Sequence, residues 1–67
     1  MEPEELDELM VAALEAHPGW QSELDLEEAG FLPGSQIYPT LSRLLVAGVV
    51  EEGRNEDDEP VYRLSGT

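Results

Sequence analysis

Apolar residues in the first sixteen positions recur at the spacing of one helical face: Leu6, Leu9, Met10, Ala13 and Leu14. Pro3 suits the first position of such a helix, and Glu4, Glu5, Asp7 and Glu8 lie at the positive end of its dipole. His17-Pro18-Gly19 stops it, because the residue before a proline is pushed out of the helical region. The pattern therefore predicts a helix over 3–16. After a short extended link at Trp20-Gln21, which could add a very small strand, Ser22 and Asp25 have the spacing of a capping box. They open a second helix over 23–29 that is expected to bury Leu24, with Leu26 or Ala29 beside it. Gly30 stands where a left-handed terminating glycine is expected, and Phe31-Leu32-Pro33-Gly34 turns the chain into the next element.

A third helix is predicted over 36–47, with Ser35 as its N-cap and Pro39 in its first turn. Ile37, Leu41, Leu44 and Leu45 form its apolar stripe. Gln36, Thr40, Arg43 and Ala47 are expected on the opposite side, with Pro39 at the edge. Gly48 ends the helix. Two short runs follow, Val49-Val50-Glu51-Glu52 and Val61-Tyr62-Arg63-Leu64, separated by the polar stretch Gly53 to Pro60. They read as a hairpin over 49–64, and period-two alternation directs Tyr62 and Leu64 to the core. The expected core is Leu6, Leu9, Met10, Leu14, Leu24, Ile37, Leu41, Leu44, Val50, Tyr62 and Leu64.

The resulting order is α-α-α-β-β with a tight turn between the second and third helices. It describes an α+β winged helix-turn-helix, three helices plus a C-terminal β-hairpin wing, in one domain spanning residues 1–67. A chain of 67 residues has room for one core only. It contains no cysteine, so neither a disulfide nor a thiolate metal site can support it.

Charge changes the picture. Sixteen acids against three arginines give a net charge of −13, a field that repels nucleic acid and anionic membranes. The distribution is more informative than the total. From Ala29 to Val50 there is no acidic residue, and all three arginines (Arg43, Arg54 and Arg63) fall in the third helix and the wing. Burial of the third helix accounts for its leucines but not for the uncharged Gln36, Thr40 and Ser42. Catalytic chemistry finds little to work with: one histidine sits at a helix end, and there is no cysteine or lysine. Asp57-Asp58 lack the alternating ligand spacing and turn glycine of a calcium loop. No enzyme, metal or cofactor is expected. The longest apolar run, Leu44 to Val50, is far too short for a membrane span, and the N-terminus lacks the basic start of a targeting peptide. The expected location is cytoplasmic.

Pro33-Gly34-Ser35-Gln36-Ile37-Tyr38-Pro39-Thr40-Leu41-Ser42-Arg43-Leu44 resembles the recognition segment of the PadR-like transcription regulators. That family shows a small-residue turn, Tyr-Pro, Leu-x-x-Leu, a glycine, and a hairpin ending in Tyr-x-Leu. The counterparts here are Tyr38-Pro39, Leu41 and Leu44, Gly48, and Tyr62-Arg63-Leu64, and Trp20 lies where the family often places an aromatic. The resemblance covers about Glu5 to Ser65. It implies a homodimeric regulator of transcription that sets its third helix in the major groove of double-stranded DNA and its wing against the backbone. Arg43 would be the principal base reader, with Gln36 and Thr40 secondary. Ser35 and Tyr38 would position the backbone, and Arg54 and Arg63 would contact phosphates. The sequence departs from the family in its acidic wing, Asn55-Glu56-Asp57-Asp58-Glu59, and in lacking the helices that follow the Tyr-x-Leu strand and serve dimerisation. A dimer is then expected to use the first helix. The alternative expectation is an acidic winged-helix module, or nucleic-acid mimic, that binds a basic protein and not DNA.

Overall fold

Pro3 takes the first helical position of α1 (Pro3–Ala16), with Glu2 extended before it, in a computed structural model that describes residues 2–65. The buried side of α1 carries Leu6, Met10, Ala13 and Leu14, while Leu9 is only partly covered. His17 closes the helix by donating its amide to the Ala13 carbonyl, and its ring meets Phe31 edge-on at 6.4 Å. The extended link that follows makes a single antiparallel bridge, Gln21 to Tyr62, with both amide-to-carbonyl bonds at 2.8 Å. This isolated bridge, one residue after Trp20, lies beside the hairpin without forming a strand of its own.

The predicted capping box opens α2 (Glu23–Ala29). The Asp25 amide donates to the Ser22 hydroxyl, and the Ser22 amide donates to the Asp25 carboxylate. Gly30 terminates the helix at φ +77, in the left-handed region where glycine carries no Cβ penalty. Leu26 and not Leu24 enters the core, and Leu24 is 62% exposed. Two residues apart on a helix are 200° apart, so a seven-residue helix facing the core through Leu26 must turn Leu24 outward. Leu32, in the following turn, is buried as well.

The third helix begins earlier than its sequence signals suggest. α3 spans Gly34–Ala47, and its N-cap is Pro33, which offers no side-chain cap. Ser35 is thus a helical residue and not the cap. Pro33 is extended, and its carbonyl accepts the Gln36 amide at 2.9 Å, so the turn of the helix closes before Ser35 can act as a boundary. Pro39 consequently lies in the second turn, where its missing amide leaves the exposed Ser35 carbonyl without an i+4 donor.

Strands β1 (Val50–Arg54) and β2 (Pro60–Leu64) pair antiparallel in the register Val50↔Leu64, Glu52↔Tyr62 and Arg54↔Pro60. The first strand therefore runs two residues further than expected, and the turn shrinks to Asn55–Glu59. The Asn55 side-chain oxygen accepts the Asp57 and Glu59 amides, and Asp58 sits at φ 62, a region aspartate tolerates. Tyr62 is the fully buried anchor of the inner face, while Leu64 near the strand end is only partly covered. Val61, expected to face outward, is also buried. Its face is the one on which Trp20 lies, because Gly53 pairs with Val61 and the indole presses on Gly53. The core gathers between α1, α3 and the inner side of the hairpin, closed by Leu26 of α2 and Leu32 of the turn that follows it. This is a three-helix, two-strand winged-helix layout. Among the described residues no helix is long and apolar enough to cross a membrane.

Candidate nucleic-acid interface

The buried arc of α3 is formed by Ile37, Thr40, Leu41 and Leu44. At 100° per residue the opposite arc is Ser35, Pro39, Ser42 and Val46, flanked by Tyr38. All five are exposed, Tyr38 at 60% and Val46 at 89%. This is the solvent face of the helix, and it carries no charge of either sign. Gln36 and Arg43 lie on its flank, each half-buried.

That geometry corrects the expected set of readers. Thr40 is fully buried at 0% exposure, so it cannot meet a base edge. Its hydroxyl accepts a hydrogen bond from Arg43 Nη2 at 3.2 Å. Ile37, Leu41 and Leu44 of the expected apolar stripe are buried, and Leu45 packs against the core at its edge. The buried arc also takes in Thr40, whose short side chain closes against the interior.

Arg43 does not project freely. Its Nε and Nη2 both donate to Asp7 Oδ1 of α1, at 3.2 and 3.0 Å, with side-chain exposures of 39% and 33%. Nη1 donates to no group among the described residues. Arg54 donates from Nη1 to the Asp58 carbonyl at 2.9 Å and lies 3.7 Å from its carboxylate. Arg63 pairs with Glu51 directly across the hairpin and stacks 4.2 Å from the centre of the Trp20 ring. Every arginine is thus neutralised within the chain, although these contacts are partly or largely exposed and each is weak against water and salt. The expected phosphate contacts Arg54 and Arg63 remain on the wing surface, but with their charges already engaged.

The structure therefore brings together Ser35, Tyr38, Gln36 and Arg43 on α3 and keeps Arg54 and Arg63 on the hairpin. It removes Thr40 and adds Ser42, Pro39 and Val46 to the accessible face. Projecting the helix with Thr40 counted as core would have found those three. At the wing tip Glu56, Asp57, Asp58 and Glu59 are all exposed, and the outer side of α1 exposes Glu4, Glu5, Glu8 and Glu15. Two copies meeting on that side of α1 would bring like charges together. A shallow groove of about 250 Å³ lies between Ser22, Glu23 and Leu24 and the hairpin residues Glu59 and Pro60, and it too is acid-lined. Among the described residues no three potential metal-ligating side chains cluster. Compared with known proteins, the chain matches no family model and no curated protein.

Proposed function

We propose that the protein is a PadR-like winged-helix regulator that sets the solvent face of α3 in the major groove of duplex DNA. The observation that carries this reading is the charge map of the folded surface. In a molecule with sixteen acids, the exposed arc Ser35, Tyr38, Pro39, Ser42 and Val46 carries none, and the acid-free stretch extends from Ala29 to Val50. A winged helix offers this helix to DNA. Ser35 and Tyr38 supply hydroxyls for phosphate contact, Gln36 suits adenine, and Arg43 suits guanine once its fork is free. The anionic remainder of the surface opposes approach at low ionic strength. At molar salt the Debye length falls to about 3 Å, and only the facing groups matter. The functional unit in this reading is a homodimer acting in the cytoplasm.

The test is a titration of duplex DNA fragments at low and at molar salt, followed by anisotropy. A complex in at least one condition is expected, abolished by Ser42→Glu, which places a carboxylate on the exposed arc without touching the core. Binding that survives Ser42→Glu would remove α3 from the interface.

A second reading is favoured by the internal pairing of Arg43, Arg54 and Arg63. With those charges satisfied, the chain suits an acidic module whose carboxylates meet a basic protein. Absence of a DNA complex at every salt concentration, with a basic partner captured and displaced by salt, would select it.

A further inference from the structure

We infer that Asp7 acts as an intramolecular competitor of DNA for Arg43, holding the one cation of α3 in a closed position; this inference rests on the DNA-binding reading above. Nε and Nη2 form one of the two-donor edges of a guanidinium, the geometry that matches paired acceptors on guanine or two phosphate oxygens. In the folded chain that edge is occupied by a single carboxylate oxygen thirty-six residues away in sequence, Asp7 Oδ1. The second proton of Nη2 is taken by the hydroxyl of Thr40, itself immobilised in the core. The arginine is therefore held against the α1 side of the helix, next to the open arc that contains Ser42 and Pro39.

Asp7 differs from the other α1 acids in this contact. Glu4, Glu5 and Glu8 are exposed, whereas Asp7 is half-buried and faces α3. The pair is strong enough to fix a rotamer and weak enough to be exchanged, because half-exposed ion pairs contribute little against solvent. Opening it delivers two donors to the nucleic acid and leaves the Asp7 carboxylate to water. Asp7 thus is a positioning residue that limits affinity, and its effect passes through Arg43.

The experiment measures binding of mixed-sequence duplex DNA to the parent protein and to Asp7→Asn, Asp7→Ala, Glu8→Gln, Arg43→Ala and the Asp7→Asn/Arg43→Ala double variant. Circular dichroism and thermal melts confirm that each is folded. The Asp7 variants are expected to bind about two- to fivefold more tightly than the parent, the range an exposed ion pair supports. Glu8→Gln makes the same change in net charge and is expected to gain less. The double variant is expected to bind no better than Arg43→Ala, since nothing remains to release. An equal gain from Glu8→Gln, or a gain that persists without Arg43, would reduce Asp7 to one acid among many and overturn the inference while leaving DNA binding intact. Absence of binding by every variant, Asp7→Asn included, would overturn both the inference and the regulator reading.

Discussion

The Arg63 guanidinium lies 4.2 Å above the centre of the Trp20 ring, so the link after α1 and the last strand are locked face to face. The same indole also presses on Gly53. A Cβ built there would come within 2.9 Å of the ring. Gly53 is in this case required for close approach, and its neighbour Val61 is buried because the indole covers that side of the hairpin.

Trp20→Ala is expected to destabilise the fold by about 2 kcal/mol, combining lost packing of a ring that is 42% exposed with a cation–π contact. Gly53→Ala alone should cost about 1 kcal/mol or more by displacing the ring, as overpacking does. In the double variant the alanine at 53 has nothing to displace, so its cost should vanish. Urea unfolding of the four proteins measures this coupling. Additive costs would show that the ring and the glycine are independent.

Thr40→Val keeps the shape of a fully buried side chain but deletes the acceptor of Arg43 Nη2. The expected loss of stability is about 1 kcal/mol, the scale of one net hydrogen bond. A threonine that read DNA from the surface would tolerate the change in unfolding experiments, and a neutral result would contradict its placement in the core.

Added salt should raise the melting temperature. The acids of α1, α2 and the wing tip repel one another across the surface of a protein carrying −13. Raising ionic strength from about 0.1 M to about 1 M shortens the Debye length from roughly 10 to 3 Å, which screens that repulsion. The three internal ion pairs weaken at the same time, but they are few and at least partly exposed. A melting temperature that falls with sodium chloride would mean that those pairs outweigh the self-repulsion.

Alkaline pH should unfold the protein through Tyr62. Burial, and then the charges of Glu52 and Glu23, raise its phenol from 10.0 to about 12. The folded protein holds this proton more tightly than the unfolded chain does. The associated stability is therefore intact below pH 10 and disappears as pH rises through 12. The difference amounts to roughly 2 to 3 kcal/mol. Denaturant titrations across that window should show the loss in the parent. Tyr62→Phe should show a flatter profile; an identical decline would place the alkaline transition elsewhere.

The local code was legible wherever a signal acts over a few residues. Pro3, the Ser22–Asp25 box, Gly30 and Gly48 set helix ends through their own backbone chemistry, and α1 and α2 have the boundaries those residues dictate. Period and turn composition were enough to give three helices and a hairpin in order. The acid-free stretch from Ala29 to Val50 is likewise a property of the chain alone. Orientation and partnership were decided only by packing. Leu24 and Leu26 are equally apolar, and the choice between them depends on which way a short helix rolls against α1 and α3. Thr40 enters the core, and Arg43 turns to Asp7, because two helices far apart in sequence meet there at hydrogen-bonding distance. A sequence specifies the hydrophobicity of each side chain, but a side chain's neighbours across the fold are set by the rotation of whole helices, and that rotation is fixed by the joint filling of a single interior.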